Sequence, residues 1–160
     1  FTHTIQLVVK VGLLSQRSVM DAIVTARAIV GHFRHSTRAT EQLLRIQKSL
    51  TCEDGTPYLT HCPIQDVTTR WNSTFYMLER LIEQKAIALY CQENDGVTNP
   101  TAHEWNLMER VLITLRPFEQ ETMNANMSTG TASMIIPSVC VLMATLTKPA
   151  RVGDDIGIQT

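Results

Sequence analysis

Apolar residues recur at three- and four-residue steps along almost the whole chain, the spacing that puts side chains on one face of an α-helix. Ile5, Val8, Val9 and Leu13 make the first run; Val19, Ile23, Ala26, Val30 and Phe33 make the second. Ser18 is expected to cap the second run, with Gly12 loosening the junction before it. Leu43, Ile46 and Leu50 resume the pattern after an expected break between Gly31 and Thr37. From Thr51 to Thr69 the periodicity stops. Asp54-Gly55-Thr56-Pro57 is turn chemistry, and a short extended piece is expected around Pro63 to Val67.

Periodicity returns with Phe75, Leu78, Leu81, Ile82, Ala86 and Leu89, one helix capped by Asn72 or Ser73 and ended by Asn94-Asp95-Gly96. Thr101 and Glu104 have capping-box spacing ahead of Trp105, Met108, Leu112 and Leu115. Pro117 lacks a backbone donor and predicts a kink or break, with Phe118, Thr122 and Ala125 carrying helix on to Met127. A polar loop at Ser128 to Ser133 precedes a last helix showing Ile135, Val139, Leu142 and Leu146. The pattern therefore predicts an all-α bundle of five or six helices. Residues 1–50 form entry helices, 51–70 a loop, 71–148 the remaining helices, and 149–160 a frayed tail.

Composition narrows the classes. The 160 residues suit one domain, and 44% apolar content suffices for a core, which argues against disorder. Fourteen basic against fifteen acidic residues leave a net charge of -1, so no global attraction to nucleic acid or to a membrane surface follows. The uncharged stretch from Met123 to Thr147 is too rich in Asn, Ser, Thr, Gly and Pro for a membrane span. Phe1 opens the chain in mid-pattern with no secretory leader, and we read it as a piece of something longer. Local charge is less even: Arg17, Arg27, Arg34, Arg38, Arg45 and Lys48 face only Asp21 and Glu41.

Candidate chemistry is sparse. Cys52, Cys62, Cys91 and Cys140 include no Cys-x-x-Cys pair and read as reduced thiols; Cys52, His61 and Cys62 share a loop, and a zinc site there is a minor alternative. Gly-rich phosphate loops, nucleophile elbows and His-Glu-x-x-His motifs are absent from the sequence. Glu79 and Glu83 share a helix face but read as a wet stripe. The unusual segment is Asp66 to Thr74, DVTTRWNST. Trp71 could stack on an unpaired base while Arg70 holds a phosphate beside a helix N-terminus. The other reading folds Trp71 back as a hydrophobic staple and pairs Arg70 with Asp66. Both stay open on spacing alone.

The stretch DVTTRWNSTFYMLERLIEQ closely resembles the hAT-type transposase superfamily, particularly its BED zinc finger relatives. FTHTIQLVVKVGLL resembles the end of that family's Cys-x-x-His motif, with His3 as the motif histidine, and LITLRPFEQETMNANMSTGTASMIIPSV resembles the segment after the Trp motif. The resemblance spans about Phe1 to Lys148. It implies a helical domain inserted within an RNase-H-like catalytic fold, whose Asp-Asp-Glu triad holds two divalent metals. None of those carboxylates can be assigned here, so the chain is expected to be inactive alone. The resemblance implies no cofactor in this segment, magnesium at the parent core and zinc in a BED finger. It also implies DNA as partner, assembly as a homodimer or oligomer through the parent protein, no membrane, and a nuclear location. Many family members are domesticated and no longer transpose. DNA contacts are expected from Trp71, Arg70, His3 and Asn72, with Arg34, Arg38 and Arg45 following the backbone. The alternative is an interaction module without DNA contact.

Overall fold

The computed structural model describes residues 2–50, 61–126 and 135–147. Among these, seven helices form and no strand: α1 Thr2–Gly12, α2 Arg17–His35, α3 Thr37–Ser49, α4 Trp71–Glu83, α5 Lys85–Glu93, α6 Ala102–Asn126 and α7 Ile135–Leu146. The all-α class read from the periodicity holds. The expected tail beyond Pro149 and the loop at Ser128 to Ser133 lie outside the described residues.

Three helices carry the core. Their stripes are Val19, Ile23, Ala26, Ile29 and Val30 on α2, Trp71, Phe75, Leu78 and Leu81 on α4, and Met108, Val111, Leu112 and Leu115 on α6, all buried. Apart from the adjacent pairs Ile29–Val30 and Val111–Leu112, each stripe steps by three or four, so a neighbouring helix can cover it; burying one large apolar side chain of this kind contributes about 1.5–3 kcal/mol. α4 packs on α6, α2 and α1, and α2 packs on α6 and α3. α3 also packs on α5, while α1 and α7 lean on α6.

Helix ends follow local chemistry with some changes from expectation. Ser36 separates α2 from α3, and its side chain accepts from the Ala39 amide as an N-cap. α2 begins one residue before Ser18, with Gln16 at the N-cap and no side-chain cap bond. The single helix expected from Asn72 to Asn94 is two, parted at Gln84. Gln84 is buried: its amide donates to the His61 carbonyl and its Oε1 accepts from Gln47 Nε2 at 3.0 Å. An amide drawn inward to those partners holds its backbone off the helical conformation, at φ -100 and ψ 85.

Pro117 does not break α6, which runs 25 residues through it. Proline leaves the Ile113 carbonyl without its usual donor. Ile113 is solvent-exposed, where water can take that place, whereas Leu115 and Phe118 on either side of Pro117 are buried in the core. Packing on both sides of the lost bond keeps the helix continuous.

Candidate nucleic-acid interface

The turn ahead of α4 is fixed by one carboxylate. Asp66 is buried, with its side chain fully covered, and its oxygens accept from Arg27 Nε at 3.0 Å, Arg27 Nη2 at 2.7 Å, Thr74 Oγ1 at 2.9 Å and Gln65 Nε2 at 3.1 Å. Burial alone would raise this carboxyl, but hydrogen bonds from Arg27 and Thr74 and the guanidinium charge outweigh it and hold it below the ordinary 3.8. The Asp66–Arg70 pairing weighed on spacing is therefore corrected: Asp66 pairs with Arg27, and Arg70 stays exposed.

Ser73 completes the turn without capping the helix in the expected way. Its hydroxyl lies within hydrogen-bond distance of the Val67 and Arg70 carbonyls and accepts from the Val67 amide. Gln6 Nε2 of α1 donates to the Thr69 carbonyl at 3.1 Å. Arg70 takes the N-cap position in extended conformation, φ -119 and ψ 111, and no side chain caps α4. The first turn of such a helix presents unsatisfied backbone donors and a partial positive charge.

These restraints shape a polar cleft of about 520 Å³. Thr2, His3 and Gln6 of α1 form one wall, Arg70, Trp71, Asn72, Ser73 and Tyr76 a second, and Thr122 with Asn126 of α6 a third. Four of the seven residues expected to touch DNA, His3, Arg70, Trp71 and Asn72, thus meet at one place. Arg34, Arg38 and Arg45 do not join them. They are exposed on α2 and α3, and α3 packs on α5 and α2 instead.

The outward indole is a second correction. Trp71 is 2% exposed and belongs to the core. It sits four residues before Phe75 and seven before Leu78, on the stripe that faces inward. Its ring cannot stack on a base without leaving the core; the backbone and edge of this residue support the cleft while its mass anchors α4.

Sequence reasoning missed Thr2, Gln6, Ser73, Tyr76, Thr122 and Asn126 as cleft residues. Gln6 lies three residues after His3 and Tyr76 four after Asn72, so helix geometry alone could have found them. Nothing local points to Thr122 or Asn126, which the packing of α6 on α4 and α1 brings in. Tyr76 donates its hydroxyl to Glu119 Oε1, and this bond, with burial and the nearby negative charges, pushes the phenol up to about 12.

Among the described residues the cleft lining offers cationic and neutral groups and no carboxylate, a set able to hold an anionic oxygen and without a carboxylate for an acid/base pair. Among the described residues no three His, Cys, Asp or Glu gather where a metal ion could bind. His61 and Cys62 are exposed, and Cys52 lies outside the described residues. Among the described residues no helix is long and apolar enough to cross a membrane.

Residues 1–114 match the family described as the ZBED1 RNase-like helical domain. Zinc finger BED domain-containing protein 4 of Homo sapiens is 32% identical over 146 residues, covering 89% of this chain and 12% of that protein. Zinc finger BED domain-containing protein 6 is 28% identical over 148 residues in both Homo sapiens and Mus musculus, covering 92% of this chain and 14% of each relative. The chain thus spans about an eighth of the length of the curated relatives it matches. No solved structure matches it.

Proposed function

Since the chain belongs to the ZBED1 RNase-like helical domain family, we propose that it is a non-catalytic helical segment of a hAT-derived BED zinc finger protein that holds a DNA phosphate in the α1–α4–α6 cleft. Arg70 supplies the charge, while His3, Asn72 and the open first turn of α4 supply neutral or charged donors around the same oxygen atoms. The observation that carries the reading is the convergence of His3 with Arg70 and Asn72, distant in sequence, on one carboxylate-free cleft.

In this reading Trp71 is a support and not a stacking platform. Arg34, Arg38 and Arg45 add diffuse attraction away from the cleft, which salt screens within about 8–10 Å. DNA association, a nuclear location and a homodimer made through other parts of the parent protein are the biological setting proposed.

The competing reading is an interaction module with no DNA contact. The buried indole and the net charge of -1 favour it. Titrating full-length protein with hairpin and single-stranded DNA separates the two. Arg70→Ala is expected to weaken binding about tenfold or more, as loss of a charge-assisted contact does, and to lower the salt slope by about one. Equal affinity and equal salt slope for Arg70→Ala and wild type would leave the interaction module as the answer.

A further inference from the structure

Most polar side chains around the α1–α4–α6 cleft are already engaged. Ser73 meets the Val67 and Arg70 carbonyls, Gln6 the Thr69 carbonyl, Thr122 the Phe118 carbonyl and Tyr76 the Glu119 carboxylate. Arg70, His3 and Asn72 line the same space and make no such bond among the described residues. Two of these three can be cations: arginine always is, and histidine gains its charge as pH falls from about 8 to 5.

α1 holds the two together. Gln6 fastens it to the carbonyl just before Arg70, at 3.1 Å, and His3 lies three residues ahead of Gln6 on the same face, about 4.5 Å along the axis. His3 and Arg70 are both exposed, and the ion pairs found among the described residues use Arg27 and Arg116 instead.

The other ionisable groups near this cleft are committed elsewhere. Tyr76 of α4 has its phenol pushed up to about 12 and stays neutral. Glu119 of α6 is turned to Tyr76, Glu79 of α4 pairs with Arg116 of α6 at 3.2 Å, and Glu121 of α6 is buried with Asn124 at 3.5 Å. Lys10 lies about two turns along α1 from His3. The remaining charges of α4 and α6, Arg80, Glu83, Glu104, Glu109 and Arg110, stand toward the opposite ends of those helices.

Charge decides which phosphate suits such a place. A phosphodiester inside a strand carries one negative charge, whereas a phosphate on a strand end carries about 1.5 to 2 and presents three acceptor oxygens. An anion between the two side chains favours the protonated imidazole, and by reciprocity the proton favours the anion. Given a phosphate in this cleft, as proposed above, we infer that it is the terminal phosphate of a DNA strand, held by Arg70 and by a His3 that takes up a proton on binding. Affinity for that end then falls as pH rises above about 7, by up to about tenfold per pH unit for one linked proton.

Full-length protein is titrated with one single-stranded oligonucleotide bearing a phosphate on its first nucleotide, on its last, or on neither, above about pH 7 so that the phosphate stays mostly dianionic. Wild type is expected to prefer a phosphorylated end, at one terminus or the other, about tenfold over the unphosphorylated strand. Calorimetry in two buffers of different ionisation heat is expected to show net proton uptake with that phosphorylated strand. His3→Gln should abolish the uptake and most of the preference, while His3→Arg should keep the preference without uptake. His3 is exposed and both replacements are good helix formers, so the fold tolerates them. Equal affinity for all three strands, with Arg70→Ala weakening every one, overturns the inference and leaves an internal phosphate in the cleft. Equal affinity with Arg70→Ala having no effect removes the phosphate reading itself and this inference with it. A preference that survives His3→Gln, or that arrives without proton uptake, also overturns the inference.

Discussion

Arg27 and Asp66 are joined through both carboxylate oxygens, with Nη2 to Oδ2 at 2.7 Å and Nε to Oδ1 at 3.0 Å, although 39 residues separate them. This pair ties α2 to the turn ahead of α4, and Thr74 Oγ1 adds a bond from α4 itself. Three parts of the fold therefore depend on one carboxylate. Asp66→Ala strands Thr74 and releases Arg27, whose side chain is 31% exposed and can partly rehydrate. The expected loss is about 2 kcal/mol, below the full penalty of a fully buried pair. Urea unfolding measures it, and a midpoint shift corresponding to less than about 0.5 kcal/mol would mean the pair is ornamental.

The same carboxylate sets part of the acid limb of stability. Its folded pKa lies below the unfolded value, so the stabilisation is complete above about 3.8 and is lost as pH falls below that point. Glu104 behaves likewise from its ordinary 4.5: the Thr101 amide and hydroxyl lower its carboxyl against the opposing effect of burial. Asp66→Asn should flatten the stability curve below about 3.8 and Glu104→Gln below about 4.5. Denaturant midpoints followed between pH 6 and pH 3 test both slopes, and unchanged slopes in the variants would contradict the assignment.

Tyr76 acts at the other end of the scale. The Glu119 hydrogen bond favours the neutral phenol, so the contribution is complete below pH 10 and is lost as pH rises toward about 12. Glu119→Gln should bring the Tyr76 transition down toward 10. Ultraviolet titration of tyrosinate, compared with Tyr76→Phe to identify the band, follows that shift.

Trp71 separates anchoring from stacking. Trp71→Ala removes a buried indole and is expected to cost about 3–5 kcal/mol, so a loss of DNA binding in that variant would say little about contact. Trp71→Phe keeps an aromatic ring in the core and should hold DNA affinity within about twofold of wild type. A drop of tenfold or more in a Trp71→Phe protein that keeps its helicity would restore the stacking role.

At the start of α6 the capping box is complete: the Thr101 amide donates to Glu104 Oε2 at 2.8 Å and the Glu104 amide to Thr101 Oγ1 at 3.2 Å. Glu104 Oε1 also accepts from Thr25 of α2 at 3.0 Å. Thr101→Ala should lower stability by about 1 kcal/mol, and Thr101→Ser by much less because the hydroxyl remains. Thermal unfolding of the two variants side by side checks the order.

Much of the fold was legible because its causes are local. The Thr101–Glu104 box needed only a three-residue spacing, and the stripes of α2, α4 and α6 needed only the helical period. The parting at Gln84 was not legible: it depends on Gln47 and His61, distant residues that give a buried amide its partners. At Pro117 the expected continuation of helix through Phe118 and Thr122 is present and the break is not, since packing of Leu115 and Phe118 outweighs the local penalty.

Spacing along the chain determined that this protein is helical and which side of each main helix is apolar, because those properties come from residues three and four apart. Tertiary structure decided what each apolar or charged group meets. It turned Trp71 inward, gave Asp66 to Arg27, gathered His3 with Arg70 and Asn72, and left α7 largely uncovered. Those outcomes depend on how helices far apart in sequence pack together, and a periodic pattern carries no record of its neighbour.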